Sequence, residues 1–331
     1  MANPEKLKLV KDHSFKAICF SAARVGDSSR VFVGTSDFKV YEVDLAAPKV
    51  EPKELYTHGS YVTGVALAGK TLVSGSYDGK LTWYDTDARK VVRTHDAHAK
   101  WIRGVFAGRD GKLVASVADD MVCRLWDASG KQVQELRGHA EKTPQGFGSM
   151  LYAAAFSADG KYVATGDKVG NAKVWEVASG KMVAEVTAPI MYTWDQVQRL
   201  HSIGGIRSVA FSPDGKTLAV GGTGKIGNID HLEAKARIEL FDWQTQKRMA
   251  EYVSDKHQGL ANHLEYAADG SWLMAAGGAG EGFILFLDPT GKKTLRADKV
   301  AMHVHDVATS PTAESVIAVG HNKIAVYEMK G

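Results

Sequence analysis

The twelve residues SGSYDGKLTWYD, at positions 74–85, contain two features that recur along the chain. An Asp-Gly turn follows a short apolar run, and the next segment ends in an aromatic residue followed by aspartate. Asp-Gly between apolar runs favours a β-hairpin, because glycine readily adopts the positive φ that such turns need. The stretch therefore predicts two antiparallel strands joined by a tight turn.

A strand ending of this kind, an aromatic residue followed by an acidic or apolar residue, occurs seven times along the 331 residues. The aromatic positions are Tyr41, Tyr84, Trp126, Trp175, Phe241, Phe286 and Tyr327. Hairpin turns precede most of them, at residues 108–111, 157–160, 212–215 and 267–270. Most copies lie 41–45 residues apart, which is the period of a four-stranded propeller blade. The sequence therefore predicts an all-β chain of repeated four-stranded antiparallel blades.

The spacing also predicts how the repeat closes. Counting from Tyr327 to the chain end and on from residue 1 to Tyr41 gives one further period of 45 residues. We therefore expect one domain over residues 1–331, a seven-bladed β-propeller in which Leu7 to Val10 supply the last strand of blade seven. The expected blades are approximately 13–57, 58–97, 98–138, 139–190, 201–256, 257–302, and 303–331 together with 6–12. Closure of this kind removes an unpaired sheet edge.

Residues 74–85 and the stretch FSPDGKTLAVG at 211–221 resemble Trp-Asp (WD) repeats, and the resemblance extends over the whole chain. It implies a hydrogen-bond network inside each blade, built from a histidine, a serine or threonine, an aspartate and the tryptophan. The best match is in blade three, with His98, Ser116, Asp120 and Trp126. The family resemblance also implies a non-catalytic platform that binds other macromolecules.

The other blades depart from this network. Blade two has His58, Ser74 and Asp78, but Tyr84 replaces the tryptophan and has no indole N–H donor. Blade four has Val169 at the aspartate position. We therefore expect the networks to be absent or altered in most blades, with apolar packing between blades as the main source of stability.

Composition narrows the functional classes. The net charge is +3 and no block of like charge occurs, whereas nucleic-acid binding normally needs a concentrated basic face. The first ten residues lack an apolar segment, so no signal peptide is expected, and no apolar run is long enough to span a bilayer. Cys19 and Cys123 are expected to be buried, reduced thiols. A cytoplasmic protein without cofactor, nucleic-acid or membrane partner is predicted.

Three insertions interrupt the period, at residues 139–150, 188–204 and 223–236. Insertions in repeat proteins map to loops, often on a binding face, and in the family's strand order all three emerge on one face over blades four and five. Thr193 and Gln196 have capping-box spacing, which predicts a short helix with Trp194, Val197 and Leu200 on one side. Either this helix packs on the propeller, or Tyr192 and Trp194 stay exposed for a partner.

A second candidate surface is the rim of the central channel on the same face. Aligning the inner strands brings together Ser14, Tyr61, Trp101, Met150, Gly205, Leu260 and His303 at equivalent positions. Tyr61 and Trp101 belong to neighbouring blades and are expected to form an aromatic patch, with ordinary strand-end packing as the alternative. The candidate partner-binding residues are Tyr61, Trp101, Met150, Tyr192, Trp194 and His231.

The leading functional prediction is a non-catalytic scaffold or adaptor that binds another protein or peptide on this loop-expanded face. The alternative is a propeller enzyme or a small-ligand or metal binder at the channel mouth. Only the blade-seven histidines favour it, because period two places His303 and His305 on one face of a strand, and His321 follows in the same blade. No G-x-S-x-G nucleophile motif is present, and no catalytic residue is expected.

Overall fold

Short apolar segments rich in β-branched residues form almost all the regular structure in the computed structural model. The model describes residues 2–196, 200–227 and 233–330. Two three-residue 3-10 helices, Pro4–Lys6 and Pro189–Met191, accompany the strands in these ranges. The chain folds as a seven-bladed β-propeller of four-stranded antiparallel blades, as the sequence predicts.

Each of blades one to six takes four strands in chain order. Strand β1 (Lys8–Ser14) comes first. The first three blades then contain β2 (Cys19–Arg24), β3 (Arg30–Thr35), β4 (Lys39–Asp44) and β5 (Lys53–Thr57); β6 (Val62–Ala68), β7 (Thr71–Ser76), β8 (Lys80–Asp85) and β9 (Lys90–Asp96); and β10 (Ile102–Ala107), β11 (Leu113–Ala118), β12 (Val122–Asp127) and β13 (Gln132–Arg137).

Blades four to six follow the same order. Blade four contains β14 (Leu151–Phe156), β15 (Tyr162–Asp167), β16 (Asn171–Glu176) and β17 (Met182–Thr187), and a two-stranded sheet of β18 (Tyr192–Asp195) and β19 (His201–Gly204) follows it. Blades five and six contain β20 (Ser208–Phe211), β21 (Thr217–Thr223), β22 (Lys235–Asp242) and β23 (Lys247–Gln258); and β24 (Leu260–Tyr266), β25 (Leu273–Gly278), β26 (Gly282–Leu287) and β27 (Thr294–Val300).

Blade seven joins the two ends of the chain. Its strands β28 (Val304–Thr309), β29 (Ser315–Gly320) and β30 (Lys323–Glu328) are completed by β1, in the order β1-β30-β29-β28. The antiparallel β1–β30 pairing runs from Lys8 opposite Glu328 to Ser14 opposite Lys323. The predicted closure by the N-terminal strand is confirmed.

The predicted hairpin turns have the backbone that their glycines allow. Gly111, Gly160, Gly215 and Gly270 have φ between 66° and 75°. A side chain at such an angle is strained, whereas glycine is not. Each turn connects the first and second strands of its blade, which fixes the register of both.

A β-bulge recurs at the start of the innermost strand. In six blades the register of the first two strands shifts by one residue, after the first pair in five of them and after the second pair in blade six. The extra residues are Phe20, Thr63, Arg103, Tyr152, Asn262 and His305. A bulge changes the direction of a side chain relative to the regular alternation along a strand. The alternation alone therefore does not predict on which face of the sheet these six side chains lie.

Backbone contacts divide the chain into two compact units. The first unit contains residues 1–118, 125–133 and 304–331, and the second contains residues 119–124 and 134–303. Apolar side chains of successive blades pack against one another in each unit: Val31, Val43 and Ile317 are in one cluster of the first unit, and Val174 and Leu218 are in one of the second. Each Å² of apolar surface removed from water contributes about 25 cal/mol, so these clusters are the main source of folding stability.

Both cysteines are buried and unpaired by disulfides. Burial raises the pKa of the Cys19 thiol, and the Cys123 thiol likewise, to about 12. At neutral pH both thiols are therefore protonated, as expected for small core residues. Within the described ranges, no helix has the length and apolar character to cross a membrane.

The segment 192–204 contradicts the helix predicted there. Residues 192–195 form β18, which pairs with β19, with Trp194 opposite Ser202. The buried Thr193 hydroxyl accepts the backbone N–H of Ile226 at 3.0 Å and caps no helix. The helical spacing was misleading because strand pairing, which the local sequence does not reveal, satisfies this backbone instead. Val197 of the predicted apolar side lies outside the described residues.

Candidate functional site

Blade four contains a complete buried network, so the prediction that it lacks the carboxylate is wrong. Asp167, the last residue of β15, takes the role expected at Val169. Its Oδ2 lies 2.9 Å from His139 Nδ1, and His139 Nε2 lies 2.7 Å from Thr165 Oγ1. Trp175 Nε1–H donates to the same hydroxyl at 2.9 Å. The four side chains are buried, so each partner is needed to satisfy the others.

In blade three, the contacts of the histidine and the tryptophan with the shared hydroxyl lie within the first unit. His98 Nε2 lies 2.7 Å from Ser116 Oγ, and Trp126 Nε1–H donates to that oxygen at 2.9 Å. In the second unit, the Asp120 carboxylate accepts from Arg124 at 2.9 Å and from the backbone N–H of Val122. All four residues matched in the sequence take part in buried or half-buried polar contacts, which are structural roles.

Blade two replaces the missing indole with a side chain from the neighbouring blade. Tyr56, on β5 of blade one, donates its hydroxyl to Ser74 Oγ at 3.0 Å, and His58 Nε2 lies 2.8 Å from the same oxygen. Tyr84, at the tryptophan position, stacks on Tyr56 with ring centroids 5.3 Å apart. The donor was missed in the sequence because Tyr56 lies outside the repeat position that was compared.

The aspartate of blade two is held ionised by its neighbours. Burial raises the pKa of Asp78, but hydrogen bonds from His58 and from the backbone N–H groups of Gly59 and Lys80 outweigh burial and lower it to about 2. A carboxylate that accepts several such bonds is strongly stabilised in its charged form. These networks therefore fix the loops before the inner strands.

Tyr61 and Trp101 are brought together through a residue between them. Tyr77 stacks on Trp101 with centroids 4.7 Å apart and planes 5° from parallel, and contacts Tyr61 at 5.7 Å. The Arg103 guanidinium lies over both Tyr77 and Trp101, 4.9 and 5.3 Å from the ring centroids, and donates to the Tyr77 hydroxyl at 2.5 Å. Stacking and cation–π contact hold this surface in one arrangement.

Two phenylalanines extend the patch. Phe20 and Phe38 contact Tyr61 at 5.8 and 5.5 Å. We call the whole group the rim cluster, which consists of Phe20, Phe38, Tyr61, Tyr77, Trp101 and Arg103. Trp101, Tyr61 and Phe38 are 51%, 42% and 40% exposed. Phe20 and Arg103 were missed in the sequence because both are bulge residues.

Phe38 has a backbone that few residues of its size adopt. It precedes β4 with φ of 72°, at the turn position where blades two and four have Gly79 and Gly170 with φ of 79° and 89°. A bulky residue at positive φ is an outlier, and such strain costs about 1 kcal/mol or more. The same turn position has positive φ in blades three and seven, at Met121 and Asn322 with φ of 62° and 55°. This backbone is therefore a feature of the repeat, and the surface role of Phe38 rests on its 40% exposure.

The three insertions contact one another inside the second unit. Tyr192 donates its hydroxyl to Gln145 at 2.5 Å, and Trp194 packs against Phe147 with centroids 5.2 Å apart. Thr193 binds Ile226 of the third insertion, as described above. Tyr192 and Trp194 are half-buried, whereas Phe147 is exposed. We call this group the insertion cluster: residues 139–150, 188–196, 200–204, 223–227 and 233–236. His231 lies outside the described residues.

The remaining candidates are placed separately. Met150 is half-buried and its sulfur accepts the Tyr152 hydroxyl at 3.0 Å. His303 is buried in the second unit, with Nε2 3.0 Å from the Asn262 side-chain nitrogen. In the first unit, the rings of His305 and His321 lie 4.9 Å apart. Metal binding at His303 and His305 stays a prediction.

Comparison with known proteins agrees with the architecture. The family model "WD domain, G-beta repeat" matches residues 50–85, 89–127, 130–176 and 194–226. A nuclear distribution protein PAC1-2 of Uncinocarpus reesii is 29% identical over 48% of this chain and 35% of its own length. A PAC1 protein of Arthroderma otae is 28% identical over 62% of this chain and 42% of its own length.

A further relative is similar over more of its length. A guanine nucleotide-binding protein subunit beta-like protein of Encephalitozoon cuniculi is 23% identical over 79% of this chain and 77% of its own length. The chain thus spans less than half of the two nuclear distribution proteins and about three quarters of the beta-like protein. Seven four-stranded blades, the networks within them and the four repeat matches lead to one conclusion: the chain belongs to the WD-repeat family of β-propellers.

Proposed function

We propose that the protein is a non-catalytic interaction scaffold that binds another protein or peptide through the rim cluster. The exposed, ordered aromatic surface around Trp101 carries this proposal. Large aromatic side chains with an adjacent arginine dominate the energy of protein–protein interfaces. The WD-repeat relatives named above support a scaffold in general, and the choice of this surface rests on the geometry of the cluster.

The insertion cluster is a second contact surface in this proposal. Phe147 is 51% exposed and packs on Trp194, so a partner that covers Phe147 also buries the edge of Trp194. We assign Tyr192, Trp194 and Met150 to this surface, and His231, outside the described residues, stays a predicted partner contact.

The proposal excludes other partner classes on physical grounds. The net charge of +3 is distributed without a basic block, which disfavours nucleic acid. The serines and histidines of the blade networks bind one another and leave no activated nucleophile. As separate expectations from the sequence, we also propose that the protein is cytoplasmic and needs no cofactor.

Affinity purification with matched variants tests the proposal. Tyr61→Ala removes an exposed member of the rim cluster, and Met249→Ala removes a side chain of similar exposure (49%) on β23, outside both clusters. We expect specific partners to be recovered with the wild type and Met249→Ala but not with Tyr61→Ala. Equal recovery by all three, with unchanged melting temperatures, would exclude the rim cluster as the binding surface.

A further inference from the structure

Blade six keeps the histidine of the blade network but lacks its partners. His257 lies four residues before Ala261, where the bulge of β24 begins, and His98 lies four residues before Ile102 at the bulge of β10. The hydroxyl that this histidine would bind is absent. In blade four the network hydroxyl belongs to Thr165, and the equivalent position in blade six is Ala276.

The strand registers establish this equivalence. Thr165 pairs with Lys173, two residues before Trp175, and Ala276 pairs with Ile284, two residues before Phe286. Threonine has therefore become alanine, and tryptophan has become phenylalanine. The carboxylate is missing as well, because Gly278 stands where blade four has Asp167.

His257 is consequently a buried imidazole without its usual acceptors. It is 7% exposed and stacks on Phe283 with centroids 5.2 Å apart. Its Nε2 atom is buried and has no hydrogen-bond partner among the described residues. Buried polar atoms normally find a partner, so a group that reached this nitrogen would satisfy it.

A cavity of about 300 Å³ opens beside this histidine. His257 and Phe283 line it, together with Gly280 of the turn between β25 and β26 and Gly282, the first residue of β26. A water molecule occupies about 30 Å³ in the liquid, so the space is large enough for a chemical group of several atoms. The cavity lies entirely within the second unit.

Positive charge surrounds the cavity in excess. Lys235, Lys256 and Lys299 line it, against the carboxylates of Asp255 and Glu281. Lys299 pairs with Glu281 at 3.0 Å, but both side chains are more than 70% exposed, so this pair is weak. Lys235 and Lys256 have no ion-pair partner in the part of the chain that the structure describes, which leaves their charge for a ligand.

The electrostatics of His257 agree with an anion at this position. Burial lowers its pKa, the positive charges of Lys256 and Lys299 lower it further, and Asp255 and Asp298 act in the opposite direction. A phosphate group in the cavity would offset both the burial and the lysine charges. Charge-assisted hydrogen bonds of lysine to phosphate oxygens are among the strong ones in proteins.

We propose that the cavity lined by Lys235, Lys256, His257 and Lys299 binds a phosphate monoester, with the lysines contacting its oxygens and His257 Nε2–H donating to one of them. This site does not depend on the rim cluster, so the scaffold function and the phosphate site can fail separately.

Histidine-selective NMR on the full-length protein tests the site. The His257 resonance is assigned with His257→Gln and followed during separate titrations with a phosphoserine peptide, inorganic phosphate and glutamate. We expect both phosphate compounds to shift the resonance and glutamate to do so only weakly. Tighter binding of the peptide would identify a phosphorylated partner, and tighter binding of inorganic phosphate would identify a free anion; either supports the site.

Matched variants separate binding from general charge. Lys256→Ala should weaken phosphate binding about tenfold or more, whereas Lys247→Ala, which removes an exposed lysine of the same strand outside the cavity, should leave it unchanged. Ala276→Ser restores a hydroxyl for His257 and should also weaken binding. An unshifted His257 resonance, equal binding of glutamate, or equal binding by Lys256→Ala would overturn the proposal.

Discussion

The blade-four network and the rim cluster use similar residues for opposite purposes. In blade four, Trp175 and His139 are buried. Each polar atom in the series of hydrogen bonds from Trp175 through His139 to Asp167 has a partner. In the rim cluster, Trp101 stacks on Tyr77 and Tyr61 contacts the other side of the group through Tyr77, while Trp101 and Tyr61 are 51% and 42% exposed. Residue type alone therefore does not separate framework from binding surface; burial and hydrogen-bond satisfaction do.

The difference has energetic consequences. Removing one member of a buried network leaves its partners desolvated and unpaired. Removing an exposed aromatic returns its neighbours to water at little cost. Variants of the framework should therefore change the free energy of unfolding strongly, and variants of the rim cluster should change it little.

The closure of the ring gives the largest expected effect. Deleting residues 1–12 removes most of β1, with four of its six register pairs with β30, from Lys8–Glu328 to Asp12–Ala325, and also the hydrogen bond from the Asn3 N–H to the Met329 carbonyl. At about 1 kcal/mol for each lost hydrogen bond, we expect a loss of about 5 kcal/mol or more in the free energy of unfolding. Urea denaturation followed by tryptophan fluorescence measures it, and an unchanged midpoint would contradict the closure.

The blade-four carboxylate should come next. Asp167 accepts from His139 and from the backbone N–H groups of Val169 and Asn171 at 2.9, 3.0 and 2.8 Å. Asp167→Ala leaves these donors buried without an acceptor, and we expect a loss of about 3–5 kcal/mol. Asp87→Ala, which breaks an exposed pair with Lys70, is the control and should cost less than about 1 kcal/mol.

Blade two provides a smaller and sharper contrast. Tyr56→Phe removes the hydroxyl that donates to Ser74, and we expect a loss of about 1–2 kcal/mol. Tyr84→Phe keeps the stacked ring and removes a hydroxyl that has no hydrogen bond within the described residues, so it should be nearly neutral. Equal losses for the two variants would show that Tyr56 does not replace the missing indole.

Phe38 should show the smallest change in stability. Phe38→Gly removes ring packing against Tyr61 but also relieves the strain of φ at 72°, which is worth about 1 kcal/mol. The two terms oppose each other, so we expect the free energy of unfolding to stay within about 1 kcal/mol of the wild type. Partner binding should nevertheless weaken, and a variant that binds normally would remove Phe38 from the surface.

Much of the fold could be predicted from the sequence because it depends on local signals. The Asp-Gly turns, the aromatic strand ends and the period of the repeat all lie within single hairpins. The closure by β1 follows from counting along the chain. These features required no knowledge of which strands meet across the molecule.

The candidate site was predictable only in part. Tyr61 and Trp101 were found by aligning inner strands, but Phe20 and Arg103 were missed because a bulge changes the side-chain direction at those positions. Asp167 was missed because it supplies its carboxylate from two residues before the usual turn position. The strand at 192–195 was mistaken for a helix because its partner, 201–204, is fixed by pairing rather than by local spacing.

The central claim is that the exposed rim cluster, and not the buried framework, binds a partner. The most direct test is the affinity of the recovered partner for wild type, Trp101→Ala and Met249→Ala, measured by isothermal titration calorimetry beside urea denaturation of each protein. We expect Trp101→Ala to lose about 2 kcal/mol of binding or more with nearly unchanged stability, and Met249→Ala to bind like the wild type. Wild-type affinity in Trp101→Ala would contradict the claim.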